Sequence, residues 1–254
     1  MTSAELAGPL TVLDTIDSTS EEARRHLAAG ETGPFWIAAR EQTKGRGRQG
    51  KPWSSKSGNL AVTGLIPFKG TPAEAARAGF AVSLGVAETV LILAHGASIE
   101  IKWPNDVLLD GKKVSGILLE NLGKTPDGRL ALTIGIGINL AHHPDAAPGM
   151  WPPTSLAAVT GAAPAMDDVL PVLIGQVSGA LTRDRLYGFE ATRAAWLARA
   201  ARLGEVIDVK LSSETLRGTF RTIDHTGALV LQTGSGLRSI AAADVFFPET
   251  TTCS

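Results

Sequence analysis

The chain has 254 residues, 44% of them apolar, a formal net charge of −1 and a single cysteine, Cys253. That length accommodates one large domain, or a domain with a small appendage, and the apolar fraction excludes wholesale disorder. A near-neutral charge gives no global field for nucleic acid or an acidic membrane, and one cysteine allows no internal disulfide, which fits a reducing compartment.

The opening MTSAELAGPL has no basic segment followed by an apolar core, so no secretory signal is expected and the chain reads as cytoplasmic. Residues 10–14 read as a short strand. Ser18-Thr19-Ser20-Glu21-Glu22 has the S/T-x-x-E spacing of a capping box, predicting a helix that stops at Gly30. Residues 35–40 read as a buried strand. Residues 42–58 follow no period and are rich in Gly, Ser and Lys, which predicts a long loop of the functional or disordered kind. A strand is expected over 60–66. Pro72 then opens a long helix to about His95; its apolar window, 79–93, is short for a membrane span and contains Glu88, so a buried helix is expected.

Four β-rich runs follow, at 98–103, 107–109, 114–120 and 130–140. Asp110-Gly111 suits a tight hairpin turn, and the last two runs read as antiparallel neighbours turning at Pro126-Asp127-Gly128. Residues 142–153 form a Pro-rich loop, and helices are expected over about 166–186 and 189–201. After Gly204 the runs 206–211, 215–222, 228–232 and 237–240 suggest a small β-barrel, with a domain boundary near Gly204.

Gly45-Arg46-Gly47-Arg48-Gln49-Gly50-Lys51-Pro52 matches the dinucleotide fingerprint G-x-G-x-x-G and, up to its last residue, the P-loop. Neither context holds. Residues 52–58 cannot start the helix that both motifs need, and Pro52 replaces the hydroxyl that would ligate Mg²⁺. What remains is a loop in which glycines allow close backbone approach and Arg46 and Arg48 offer planar forks for carboxylate or phosphate. A solvated basic loop, or a nucleic-acid-binding patch, fits this stretch equally well.

A second constellation joins Ile101-Lys102-Trp103-Pro104-Asn105-Asp106 to Lys113-Val114-Ser115-Gly116-Ile117-Leu118. Pairing around Asp110-Gly111 would gather Lys102, Asn105, Asp106 and Lys113 beside Gly116, unusual company for a core hairpin. The plainer alternative is solvated lysines with Asp106 capping the turn. His142-His143-Pro144-Asp145 has no companion at metal-ligand spacing and reads as a solvated loop. Trp151 could cover a ligand or simply pack, and Trp196 reads as core. Ser115 and Ser155 lack a G-x-S-x-G context.

In order along the chain, Asp17-Ser18-Thr19, the 41–50 run EQTKGRGRQG, KWPND at 102–106, KVSGIL at 113–118 and Gly135-Ile136-Gly137-Ile138-Asn139 closely resemble the biotin–protein ligases. Ser20 stands where that family often has Asn, and Gln49 where it often has Arg. The resemblance implies an α+β fold: a class II synthetase-like, biotin/lipoate-ligase catalytic domain over 1–204, with a mixed sheet and helices on one side, then an SH3-like β-barrel over 205–254. About a dozen residues precede the first strand, too few for a helix-turn-helix, so the class without an N-terminal DNA-binding domain is expected, with no DNA or membrane partner.

The family makes biotinyl-5′-AMP from biotin and ATP, then transfers biotin to a lysine of a biotin carboxyl carrier domain. By resemblance, Lys113, Arg48, Asp106 and Lys102 are the catalytic candidates. Ser18, Thr19, Ser20, Gln42, Gly45, Arg46, Gly47, Arg48, Lys113, Gly116 and Gly135 would hold biotin. Arg46, Arg48, Trp53, Lys102, Asn105 and Asn139 would serve ATP, with Mg²⁺ accompanying it near Asn105 and no side-chain metal cluster. A lipoate or octanoate ligase of the same fold is the nearest rival; a nucleic-acid-binding module using the Gly/Arg loop is the rival of another class.

Overall fold

The structure, a computed structural model, describes residues 2–146, 151–211, 213–241 and 243–246. Cys253 and part of the Pro-rich loop lie outside the described residues. The elements run α1 (Ser3–Ala7), β1 (Leu10–Ile16), α2 (Thr19–Ala28), β2 (Phe35–Gln42), β3 (Leu60–Phe68), α3 (Pro72–Leu93), β4 (Ile99–Lys102), β5 (Asp106–Leu109), β6 (Lys112–Lys124) and β7 (Leu130–Ile138). After these come α4 (Leu156–Thr160), α5 (Met166–Tyr187), α6 (Phe189–Leu197), β8 (Val206–Lys210), β9 (Thr215–Ile223), β10 (Leu229–Thr233), β11 (Gly236–Ile240) and β12 (Asp244–Phe246). The short α1, α4 and β12 carry too little periodicity to be predicted.

Seven strands form a mixed sheet in the order β1-β2-β3-β7-β6-β5-β4, with only the β1/β2 pair parallel. Alternation sorts the side chains by face. Trp36, Ala38, Val62, Ile134, Ile136 and Ile138 join one large core with α3, α5 and α6, whereas Phe35, Ile37, Leu65 and Ala131 meet Ala23 of α2 in a second cluster. The expectation of helices on one side is therefore corrected: α2 covers part of the opposite face, leaving the rest of it open.

A Thr71/Glu74 capping box and Pro72 start α3. By length and composition α3 could cross a membrane, but 61% of its apolar window is buried. Gly85 is what lets α5 lie against it, since a Cβ there would come within 2.7 Å of the Val177 backbone. The predicted 110–111 turn closes β5–β6 with φ of 49° at Asp110 and 72° at Gly111, a conformation glycine tolerates without strain.

The second sheet is antiparallel, in the order β11-β10-β9-β8-β12, and it stays open among the described residues instead of closing as a barrel. Its apolar side, Ile207, Val209 and Phe220, is continuous with the main core. Trp103 Nε1, just after β4, donates to Gly227 O at 3.1 Å, and Arg193 Nε of α6 to Ile223 O at 2.6 Å, tying the second sheet to the rest of the fold.

Candidate active site

The open face of the main sheet floors a cleft of about 460 Å³. Strand register explains why. One cross-strand row runs Ala61, Gly137, Gly116, Asp106, Lys102 over β3, β7, β6, β5 and β4, and the next runs Thr63, Gly135, Leu118. Residues in a row share a face. The centre is thus paved by glycine and alanine, one end is polar and the other ionic. A Cβ at Gly116 would stand 2.9 Å from the Trp53 ring, and one at Gly137 would overlap it, so the indole rests directly on the floor.

Lys113 lies three residues before Gly116, and in a regular strand the two would point to opposite faces. The register slips between Val107 and Leu108, a β-bulge that pairs Lys113 with Leu108 and turns it onto the cleft face. The 152–154 segment holds the bulge in place: Lys113 N donates to Pro152 O at 2.8 Å and Thr154 N to Lys113 O at 2.9 Å. The Lys113 ammonium then sits 2.7 Å from one Asp106 oxygen, while Lys102 Nζ is 3.4 Å from the other. Burial alone would raise the Asp106 pKa, but the two lysines outweigh it and hold the carboxyl below its usual range. Asp106 is therefore a persistent anion that fixes two cations, and a weak proton acceptor. Lys113 Nζ also lies 5.7 Å from the Trp53 ring centroid, and Lys102 Nζ 5.6 Å from that of Trp151.

The polar end is built at the start of α2. Ser18 is its N-cap residue but makes no side-chain capping bond, and it lines the cleft. The expected capping box does not form because Glu21 is engaged with Arg46 and Arg24. Asp17 fixes the turn instead: the Arg25 guanidinium and the Ser18 amide hold its pKa down at about 2. Gln42 Oε1 accepts from Thr19 N at 2.8 Å and Thr19 Oγ1 at 3.0 Å. Thr63 Oγ1 lies 2.8 Å from Thr19 Oγ1 and 3.2 Å from Ser20 Oγ. Sequence reasoning missed Thr63 and Ser55, although the alternation of β3 opposite Gly135 could have exposed Thr63.

The Gly/Arg loop has more order than its sequence suggests. Bridges Gln42–Ser55 and Arg46–Pro52 make it an irregular two-armed flap with a 3-10 turn at Arg48–Gly50. Gly45 is required where a Cβ would collide with the Trp53 carbonyl. Arg48 Nη1 donates to Asn105 Oδ1 at 3.3 Å, while Asn105 Nδ2 donates to Ile117 O. Arg46 pairs with Glu21 at the mouth of the cleft, and Arg46, Gly47 and Arg48 all line it. Both ends of the Asn105 amide are engaged within the protein. Asn139 Nδ2 donates to Thr154 O at 2.9 Å, and the residue is buried along the cleft wall. Asn59, unsuspected from sequence, accepts three successive backbone N–H groups, from Leu140, Ala141 and His142, at 3.0–3.1 Å. Trp151 lines the cleft, and Trp196 is fully buried. Among the described residues no cluster of three or more His, Cys, Asp or Glu could hold a metal.

A glycine-floored cleft with a hydrogen-bonding head, an ion-paired lysine couple and an arginine flap defines a site that binds and activates a small anionic molecule. The chain belongs to the biotin/lipoate A/B protein ligase family, whose model matches residues 12–139, and the model of the biotin protein ligase C-terminal domain matches 203–247. It is 43% identical over 240 residues to a biotin–[acetyl-CoA-carboxylase] ligase of Paracoccus denitrificans, covering 93% of this chain and 99% of that one. The bifunctional ligase/repressor BirA of Bacillus subtilis is 31% identical over 241 residues, which cover 91% of this chain and 72% of that protein. Among solved structures, the biotin protein ligase of Aquifex aeolicus in complex with biotin and ATP superposes with a TM-score of 0.78 at 26% identity, over 93% and 97% of the two chains.

Proposed function

We propose that the protein is a biotin–protein ligase that activates biotin with ATP and passes it to a lysine of the biotin carboxyl carrier domain of a carboxylase. The observation that carries this is the ion-paired Lys113–Asp106–Lys102 cluster, set between a glycine floor and an arginine flap. In the first step a carboxylate oxygen attacks the α-phosphorus, and the bond to pyrophosphate breaks with its electron pair leaving on pyrophosphate. Two anions must meet, and Lys113 is placed to lie between them, with Arg48 and Arg46 closing over the phosphates. A preorganised donor of this kind supplies about 3–4 kcal/mol. Ser18, Thr19, Ser20, Gln42 and Gly45 hold the ureido head. Gly135 lets the ligand lie close to the sheet, and Trp53, resting on Gly116 and Gly137, forms an apolar wall beside it.

Lys102, Asn105, Asn139 and Trp151 edge the nucleotide side. Mg²⁺ would accompany ATP near Asn105 and would supply neutralisation of the phosphate charge. In the second step the neutral carrier amine attacks the acyl carbon, an amide forms, and AMP departs with the bond pair and takes up the amine's proton on its phosphate. Asp106 orients Lys113 and Lys102. Residues 1–204 carry this chemistry, and the lobe over 205–254 contributes Val245 to the cleft wall.

ATP–pyrophosphate exchange with biotin and lipoate side by side tests the proposal. Exchange driven by biotin is expected; exchange driven by lipoate alone, or by neither acid, overturns it.

A further inference from the structure

Hydrogen-bond polarity at the polar end of the cleft follows from the Thr19 backbone amide. The Thr19 backbone N–H can only donate, so the Gln42 atom it meets at 2.8 Å is the carbonyl oxygen. Thr19 Oγ1 spends its one hydrogen on the same oxygen, so Thr63 must donate to Thr19, and Ser20 to Thr63. Gln42 Oε1 is thus occupied by two donors, and the amide nitrogen remains to meet a ligand. One of its two hydrogens goes to Ser55 Oγ at 2.7 Å.

Ser55 itself is buried and does not line the cleft, whereas Gln42 does. Its backbone carbonyl also accepts from Gln42 N, at 3.2 Å, across the neck of the flap. A Cβ at Gly45 would come within 3.2 Å of Ser55 Oγ and 3.1 Å of Gln42 Nε2, so the pair is also packed from above.

Building on the proposed function, we propose that Ser55 is a positioning residue for substrate recognition. It pins the Gln42 carboxamide so that the second N–H is offered to the carbonyl oxygen of a cyclic urea, while the lone pairs of Ser20 Oγ face a urea N–H. A ligand head without the urea, such as a dithiolane, finds no acceptor for that N–H.

The test is steady-state pyrophosphate exchange by Ser55→Ala, with Ser55→Cys as a second variant that keeps the volume but gives up the strong acceptor. Losing one neutral hydrogen bond and the orientation it fixes predicts a rise of about five- to tenfold in KM for biotin. KM for ATP and kcat should stay within about twofold, because Ser55 acts through Gln42 alone. A merely structural role would lower the melting temperature and shift both KM values together. That outcome, or an unchanged biotin KM in both variants, overturns the proposal. If the unsubstituted protein shows no biotin-dependent exchange, the proposed function fails instead, so the two failures are distinguishable.

Discussion

Replacing Asp106 with Asn leaves two ammonium groups facing each other across a site that is mostly closed to water. Lys102 and Asp106 are 9% and 12% exposed at their side chains, and Lys113 is 28% exposed. Removing one partner of a buried ion pair costs about 3–5 kcal/mol, and the partial exposure of Lys113 argues for the low end, about 3 kcal/mol. In a protein of this size that lowers the melting temperature by about 6–12 °C at pH 7. The sign of the pH dependence follows from the shift. The folded-state pKa of Asp106 is depressed, so its contribution is fully present above the ordinary carboxylate value of about 4 and is lost as pH falls through the lower folded value. Melts of wild type and Asp106→Asn should therefore differ most near neutrality and converge below roughly pH 4. A variant melting within about 2 °C of wild type at pH 7 would refute the assignment of Asp106 as the anion holding both lysines.

Two other substitutions probe different parts of the cleft. Lys113→Ala should cut biotin-dependent pyrophosphate exchange by about 10²–10³-fold, the cost of one preorganised donor, with the fold retained by circular dichroism; near-wild-type exchange would exclude Lys113 from the chemistry. Gly137→Ala drives a methyl group into the Trp53 ring and should raise KM for biotin by about tenfold, and unchanged kinetics would mean that the indole does not form the wall.

The ordered motifs made most of the site legible before any coordinates. Gly116, Gly135, Lys102 and Asp106 share one cleft because period-two alternation and a tight 110–111 turn are local properties. What stayed hidden was non-local. Nothing in KVSGIL announces the bulge that brings Lys113 to the same face as Gly116. The engagement of Glu21 with Arg46, which removes the capping box, depends on where the flap folds. Thr63 and Ser55 are ordinary residues in their own segments, and only sheet register and the closing of the flap neck bring them to Gln42. The small lobe was foreseen as a barrel from evenly spaced strands, but spacing says nothing about closure.

The turn after β7 presents three consecutive amide hydrogens converging on one point, a concavity of the sort that attracts phosphate. Asn59 fills it with a neutral oxygen of the protein's own. The concavity is therefore closed to any outside anion, because one side-chain oxygen already takes all three hydrogens. What the turn gains is a fixed path for the chain leaving the sheet, held from β3's side by a single amide.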